Sequence, residues 1–70
     1  MTDTELQVFR DAYRFFAAHS EPPQTDAAAW WVEVARDMGA FSARWQHPLM
    51  NGLLAAVYEY LEQKAKEADT

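Results

Sequence analysis

The stretch AAAWWVEVARDMGAFSARW, residues 27–45, decides the fold, because it reads either as one long helix or as two short ones broken at Gly39. Glycine there invites a C-cap that would stop a helix at Met38. The apolar phase argues for continuity. Ala27, Trp30, Trp31, Val34 and Met38 are followed by Phe41 and Trp45 at steps of three and four, the spacing that keeps side chains on one helical face. Gly39 falls off that stripe and does not shift it. An interior glycine costs about 1 kcal/mol relative to alanine, whereas burying an aromatic side chain contributes roughly 1.5–3 kcal/mol. The sequence therefore predicts one helix over about 26–46, with Gly39 as the place where it would bend. Thr25 or Asp26 is the expected N-cap, with three alanines as strong helix formers behind it.

The flanking segments carry the same period. Toward the N-terminus, Thr2 stands three residues before Glu5, the spacing of a reciprocal cap, so a helix is expected over about 5–19. Leu6, Val8, Phe9, Ala12, Tyr13, Phe15 and Phe16 cover roughly half its circumference, and Gln7, Arg10, Asp11, Arg14 and Ala18 take the rest. Pro22 and Pro23 end that helix and make residues 20–25 the one linker of any length. Toward the C-terminus, Pro48 suits the first position of a new helix, with His47 as its N-cap. Leu49, Met50, Leu53, Leu54, Val57, Tyr58, Tyr60, Leu61 and Ala65 then form a third apolar arc over about 48–66, opposite Asn51, Glu59, Glu62 and Gln63. Lys64 and Lys66 favour the helix C-terminus, Glu62 and Lys66 form an i,i+4 pair, and the tail after Glu67 is expected to fray.

The expected architecture is thus all-α, a single three-helix domain over residues 1–70. A chain of 70 residues lies near the size where a lone core leaves only roughly 3–5 kcal/mol of net stability. Four Phe, three Trp and three Tyr give it more bulky apolar surface than three short helices readily cover, so association as a helical homodimer is expected. The candidate interface is Trp30, Trp31, Phe41, Trp45, Tyr58 and Tyr60. Adjacent residues on a helix point about 100° apart, so Trp30 and Trp31 either straddle a broad internal core or divide between the core and a second chain. Both readings stand at this point.

Charge and composition narrow the function classes. Six Lys and Arg against eleven Asp and Glu give a net charge of −5, which repels phosphate backbones and anionic lipid at long range. An acidic N-terminus is not what a secretory leader is expected to show, and the apolar runs fall short of the roughly 18 residues that span a bilayer. With no cysteine, no disulfide or thiolate site supplements the core, and a reducing cytoplasm is the natural setting.

No residue pattern writes out a chemistry. His19 and His47, the only imidazoles, lack metal-site spacing and read as helix-end and turn residues, His19 beside the last carbonyls. Glu33 with Asp37, and Glu59 with Glu62, are carboxylate pairs on polar faces where acids ordinarily meet water. Ser20 and Ser42 sit in no nucleophile motif, and two glycines build no phosphate loop. No enzyme activity, metal or cofactor is expected. Arg10 and Arg14, with Arg44, are the nearest approach to a basic surface; the alternative reading is a nucleic-acid regulator, either a weak DNA binder through these arginines or, from the acidic surface, a mimic of DNA.

Thr2-Asp3-Thr4-Glu5-Leu6 leading into Tyr13-Arg14-Phe15-Phe16, the Asp26–Trp31 helix start, and His47-Pro48-Leu49 running into Leu53–Glu62 together resemble small prophage and mobile-element proteins of Gram-positive gut bacteria. That resemblance implies a bacterial cytoplasmic accessory protein acting on a host or phage protein, and supplies no catalytic residues. With the apolar surplus, the expected function is a self-associating protein-interaction module.

Overall fold

The computed structural model describes residues 1–68, leaving aside the side chain of Ala68, and folds them into three helices: α1 (Asp3–Ala18), α2 (Ala27–Arg44) and α3 (Pro48–Ala68). The helix α2 runs through Gly39 unbroken, as the apolar phase predicts. The expectation for the tail lies outside the described residues.

Helix α1 starts two residues earlier than expected, because the reciprocal cap places Thr2 at the N-cap. The Glu5 N–H donates to Thr2 Oγ1 at 3.1 Å, and the Thr2 N–H donates to Glu5 Oε1 at 2.7 Å. Two otherwise orphaned amides are satisfied by one another's side chains. At its far end the His19 N–H closes the last turn on the Phe16 carbonyl at 3.0 Å.

Helix α2 begins without the expected side-chain cap. Asp26 occupies the N-cap position in left-handed geometry, φ 58° and ψ 40°, and makes no capping hydrogen bond. A capping side chain needs extended backbone to turn its oxygen onto the first amides, and this geometry turns it away. The other end stops at Arg44, two residues short of the expected Gln46. Trp45 leaves helical geometry at φ −119° and ψ 87° while its N–H still reaches the Phe41 carbonyl at 2.9 Å. Helix α3 opens at Pro48 as predicted, and His47 caps it: His47 Nδ1 accepts from the Leu49 N–H at 3.1 Å.

The direction of packing follows from paired residues. Phe15 meets Phe41, and Asp11 meets Trp45, so α2 runs antiparallel to α1. Phe16 meets Tyr60, and four residues further along both segments Lys64 Nζ donates to the Ser20 carbonyl at 2.5 Å. Helices α1 and α3 are therefore parallel. Lys64 also approaches Glu21 at 3.8 Å, whereas the expected Glu62 and Lys66 pair is not closed among the described residues.

The Cα envelope measures 41 × 19 × 16 Å. With a helix about 10–12 Å across, that section holds two layers and leaves no deep interior. The buried core is accordingly small: Val8, Ala12 and Phe15 from α1, Val34 from α2, and Met50, Leu54 and Leu61 from α3. Around it the larger rings pack part-buried.

Candidate functional site

Three features stand out beside the core. The first joins five of the six candidate interface residues. Trp30, Trp31, Phe41, Trp45 and Tyr58 are half-buried against the core, and only Tyr60 is among the exposed large apolar side chains. Trp30 and Trp31 meet edge-on at 4.6 Å between ring centroids, and Trp31 leans on Tyr58 at 5.3 Å. The adjacent tryptophans thus straddle a broad core edge. Between them and the linker lies an open groove of about 710 Å³, walled by Pro22 and Pro23 on one side and by Tyr58 and Glu62 on the other.

The second feature is a pair of buried polar residues on the α1–α2 seam. His19 is 6 % exposed, and its Nε2 donates to Asp37 Oδ2 at 2.7 Å. Its ring stands 5.5 Å from that of Phe15 and 6.5 Å from that of Trp30. His19 is the helix-end residue expected beside the last carbonyls of α1, its N–H on the Phe16 carbonyl, and its ring in addition crosses to α2. Asp37 likewise does not simply face water, although Glu33, Glu59 and Glu62 do. Asp11, expected on the polar side, is 5 % exposed and accepts the Trp45 Nε1–H on Oδ2 at 2.5 Å. Arg14 Nη1 stands 3.5 Å from its other oxygen, and Arg44 Nε stands 3.9 Å from Oδ2. A carboxylate out of water needs such partners.

A signal for these residues existed in the sequence. Asp11 falls three after Val8 and four before Phe15, and Asp37 holds the same place between Val34 and Phe41. Both occupy core phase. Only their acidic type argues for the solvated side.

The third feature is apolar surface left uncovered. Leu6 is 40 % exposed, Phe9 47 % and Tyr13 69 %, and these follow one another at steps of three and four along α1. The stripe continues into Phe16, whose ring meets Tyr60 of α3 at 5.9 Å, and Tyr60 is itself 52 % exposed. One face of the parallel α1–α3 pair is therefore apolar and open. Sequence reasoning put Leu6, Phe9 and Tyr13 in the apolar arc and did not separate them from the core; α3 covers only part of an arc that wide.

Charge at the α1 N-terminus is set by the same cap that starts the helix. Hydrogen bonds from the Thr2 backbone and then its side chain hold the Glu5 carboxyl below its ordinary 4.5, with His47 adding a smaller pull in that direction. No helix among the described residues is long and apolar enough to cross a membrane. Comparison with family models, curated proteins and solved structures found no match to this chain, and the resemblance to prophage proteins gains nothing from them.

Proposed function

We propose that the chain is a helical protein-interaction module that pairs with a second copy of itself through the α1–α3 face. The observation that carries this reading is the exposed run of Leu6, Phe9 and Tyr13 continued by Tyr60. A twofold partner presents the same patch to itself. If two α1 helices cross antiparallel near Phe9, Leu6 of each copy lies one turn to one side and Tyr13 of the other lies a little over one turn away on the same side, so the small and large side chains interdigitate. The interface then centres on this stripe, while Trp30, Trp31, Phe41, Trp45 and Tyr58 pack against the core of their own chain. The further expectation of a bacterial cytoplasmic accessory role rests on the sequence resemblance alone.

Sedimentation equilibrium at micromolar concentration tests the pairing. The expected mass is twice that of the 8.1 kDa chain, and Phe9→Glu should return it to one, because a charge at the centre of a twofold patch meets its own copy. A wild-type chain that stays monomeric throughout, or a Phe9→Glu chain that still pairs, overturns the reading.

A further inference from the structure

The chain is acidic, yet three of its six Lys and Arg residues converge on one spot. Arg10 and Arg14 come from successive turns of α1 and Arg44 from the last turn of α2. With Gln7, Asp11 and Trp45 they line a recess of about 170 Å³. The guanidinium-bearing side chains of Arg14 and Arg44 are 71 % and 68 % exposed, so they are not consumed by packing. The recess lies against α2 and the apolar stripe borders α3, with Arg10, three residues from Tyr13 and four from Leu6, between them.

We infer that this recess binds a phosphomonoester group. Asp11 does not fill it. Its carboxylate is fixed from below by the Trp45 indole N–H and draws one nitrogen from each of two guanidiniums, Nη1 of Arg14 and Nε of Arg44. A guanidinium carries five N–H donors in a planar fork. Among the described residues, Arg14 therefore keeps its Nε and Nη2 free, and Arg44 keeps both Nη atoms. Asp11 acts as a positioning residue that aims these donors and offsets one of the three positive charges. What remains is a surplus of two, matching the charge of about −1.5 to −2 on a phosphomonoester near pH 7. Guanidinium forks also match the spacing of phosphate oxygens, which an ammonium does not reproduce.

The rest of the molecule selects the size of the ligand. A net charge of −5 repels an extended polyanion, whose phosphates would run past the patch onto acidic surface. A compact dianion stays within about 8–10 Å, the screening length at physiological salt, where the local arginines dominate. The same chemistry is offered by a phosphorylated protein side chain and by a small soluble phosphate ester.

The test uses the Trp45 indole N–H as an internal reporter, since it donates into the floor of the recess. Its resonance is identified by loss in Trp45→Phe and followed in the intact chain during titration with inorganic phosphate, with sodium chloride holding ionic strength constant. A parallel titration uses a phosphoserine peptide with its unphosphorylated form. The expected result is a saturable shift of the Trp45 signal, with Trp30 and Trp31 unmoved. Affinity should fall on the order of tenfold in each of Arg14→Gln and Arg44→Gln; both sites are exposed, so the fold should survive, and unchanged helical circular dichroism checks it. Inorganic phosphate binding with the phosphopeptide inert assigns a soluble ester as the source, and tighter phosphopeptide binding assigns a modified protein. No saturable shift with either probe, an equal shift in the arginine variants, or a salt-dependent response to duplex DNA that phosphate does not compete away overturns the proposal.

Discussion

Thr2 and Glu5 show how a single pair of side chains sets both where a helix begins and how it responds to acid. Glu5 is held below its ordinary 4.5 first by the Thr2 backbone N–H and second by the Thr2 side chain. The folded form thus favours the carboxylate more than the unfolded form does. Its contribution to stability is fully present above the unfolded value and is lost as pH falls through the folded one, so the cap should open only below about pH 4.5. A titration of the Glu5 side-chain carbon by NMR is expected to give a midpoint under 4.5. Thr2→Ala should raise that midpoint part of the way, because the larger backbone bond survives the substitution. Glu5→Gln should remove this component of acid sensitivity. A wild-type midpoint at or above 4.5 would mean that the reciprocal cap is open in solution.

At the scale of the helices, continuity through Gly39 makes a sharp forecast. A Cβ added there meets nothing within 4 Å, and the backbone is not in the positive-φ region. Gly39→Ala should therefore stabilise the chain by about 0.5–1 kcal/mol, a rise of roughly 2–8 °C in melting temperature for a domain of this size. An unchanged or lowered melting temperature would place a bend at Gly39. That helix was legible because its signal is local: seven apolar residues repeat one phase, and a single glycine does not reset it. The partners of its polar residues were not legible in the same way. Asp11 lies 34 positions from Trp45, and His19 lies 18 from Asp37, so the hydrogen bonds that allow these groups inside form only once α1 and α2 are antiparallel. Periodicity reports which face a position is on; it does not report whether a buried carboxylate will find a donor there. The missing cap of α2 has a related cause. Asp26 has the right chemistry for an N-cap, and its left-handed backbone keeps the side chain off the first amides.

For the whole molecule, the narrow cross-section decides the balance between core and surface. Among the described residues, two helical layers bury seven apolar side chains and leave Leu6, Phe9, Tyr13 and Tyr60 open to water, so the proposed pairing places the interface on the α1–α3 face, whereas the sequence offers Trp30, Trp31, Phe41, Trp45, Tyr58 and Tyr60. The tryptophans pack part-buried at the core edge, whereas the α1 stripe lies open. If the face pairs, folding and association are linked: a partner that binds only the folded form adds RT ln(1 + [L]/Kd), about 2.7 kcal/mol when the free partner is at 100 times Kd. The wild-type melting temperature should then climb as total chain is raised over about a hundredfold range, by several degrees for a domain this small. Tyr13→Glu, at the most exposed position of the stripe, should flatten that dependence and change the low-concentration melting temperature little, since it removes nothing from the core. Differential scanning calorimetry across the concentration series separates the outcomes: a wild-type curve as flat as the variant's would mean that the stripe stays in water and that the small core carries the fold unaided.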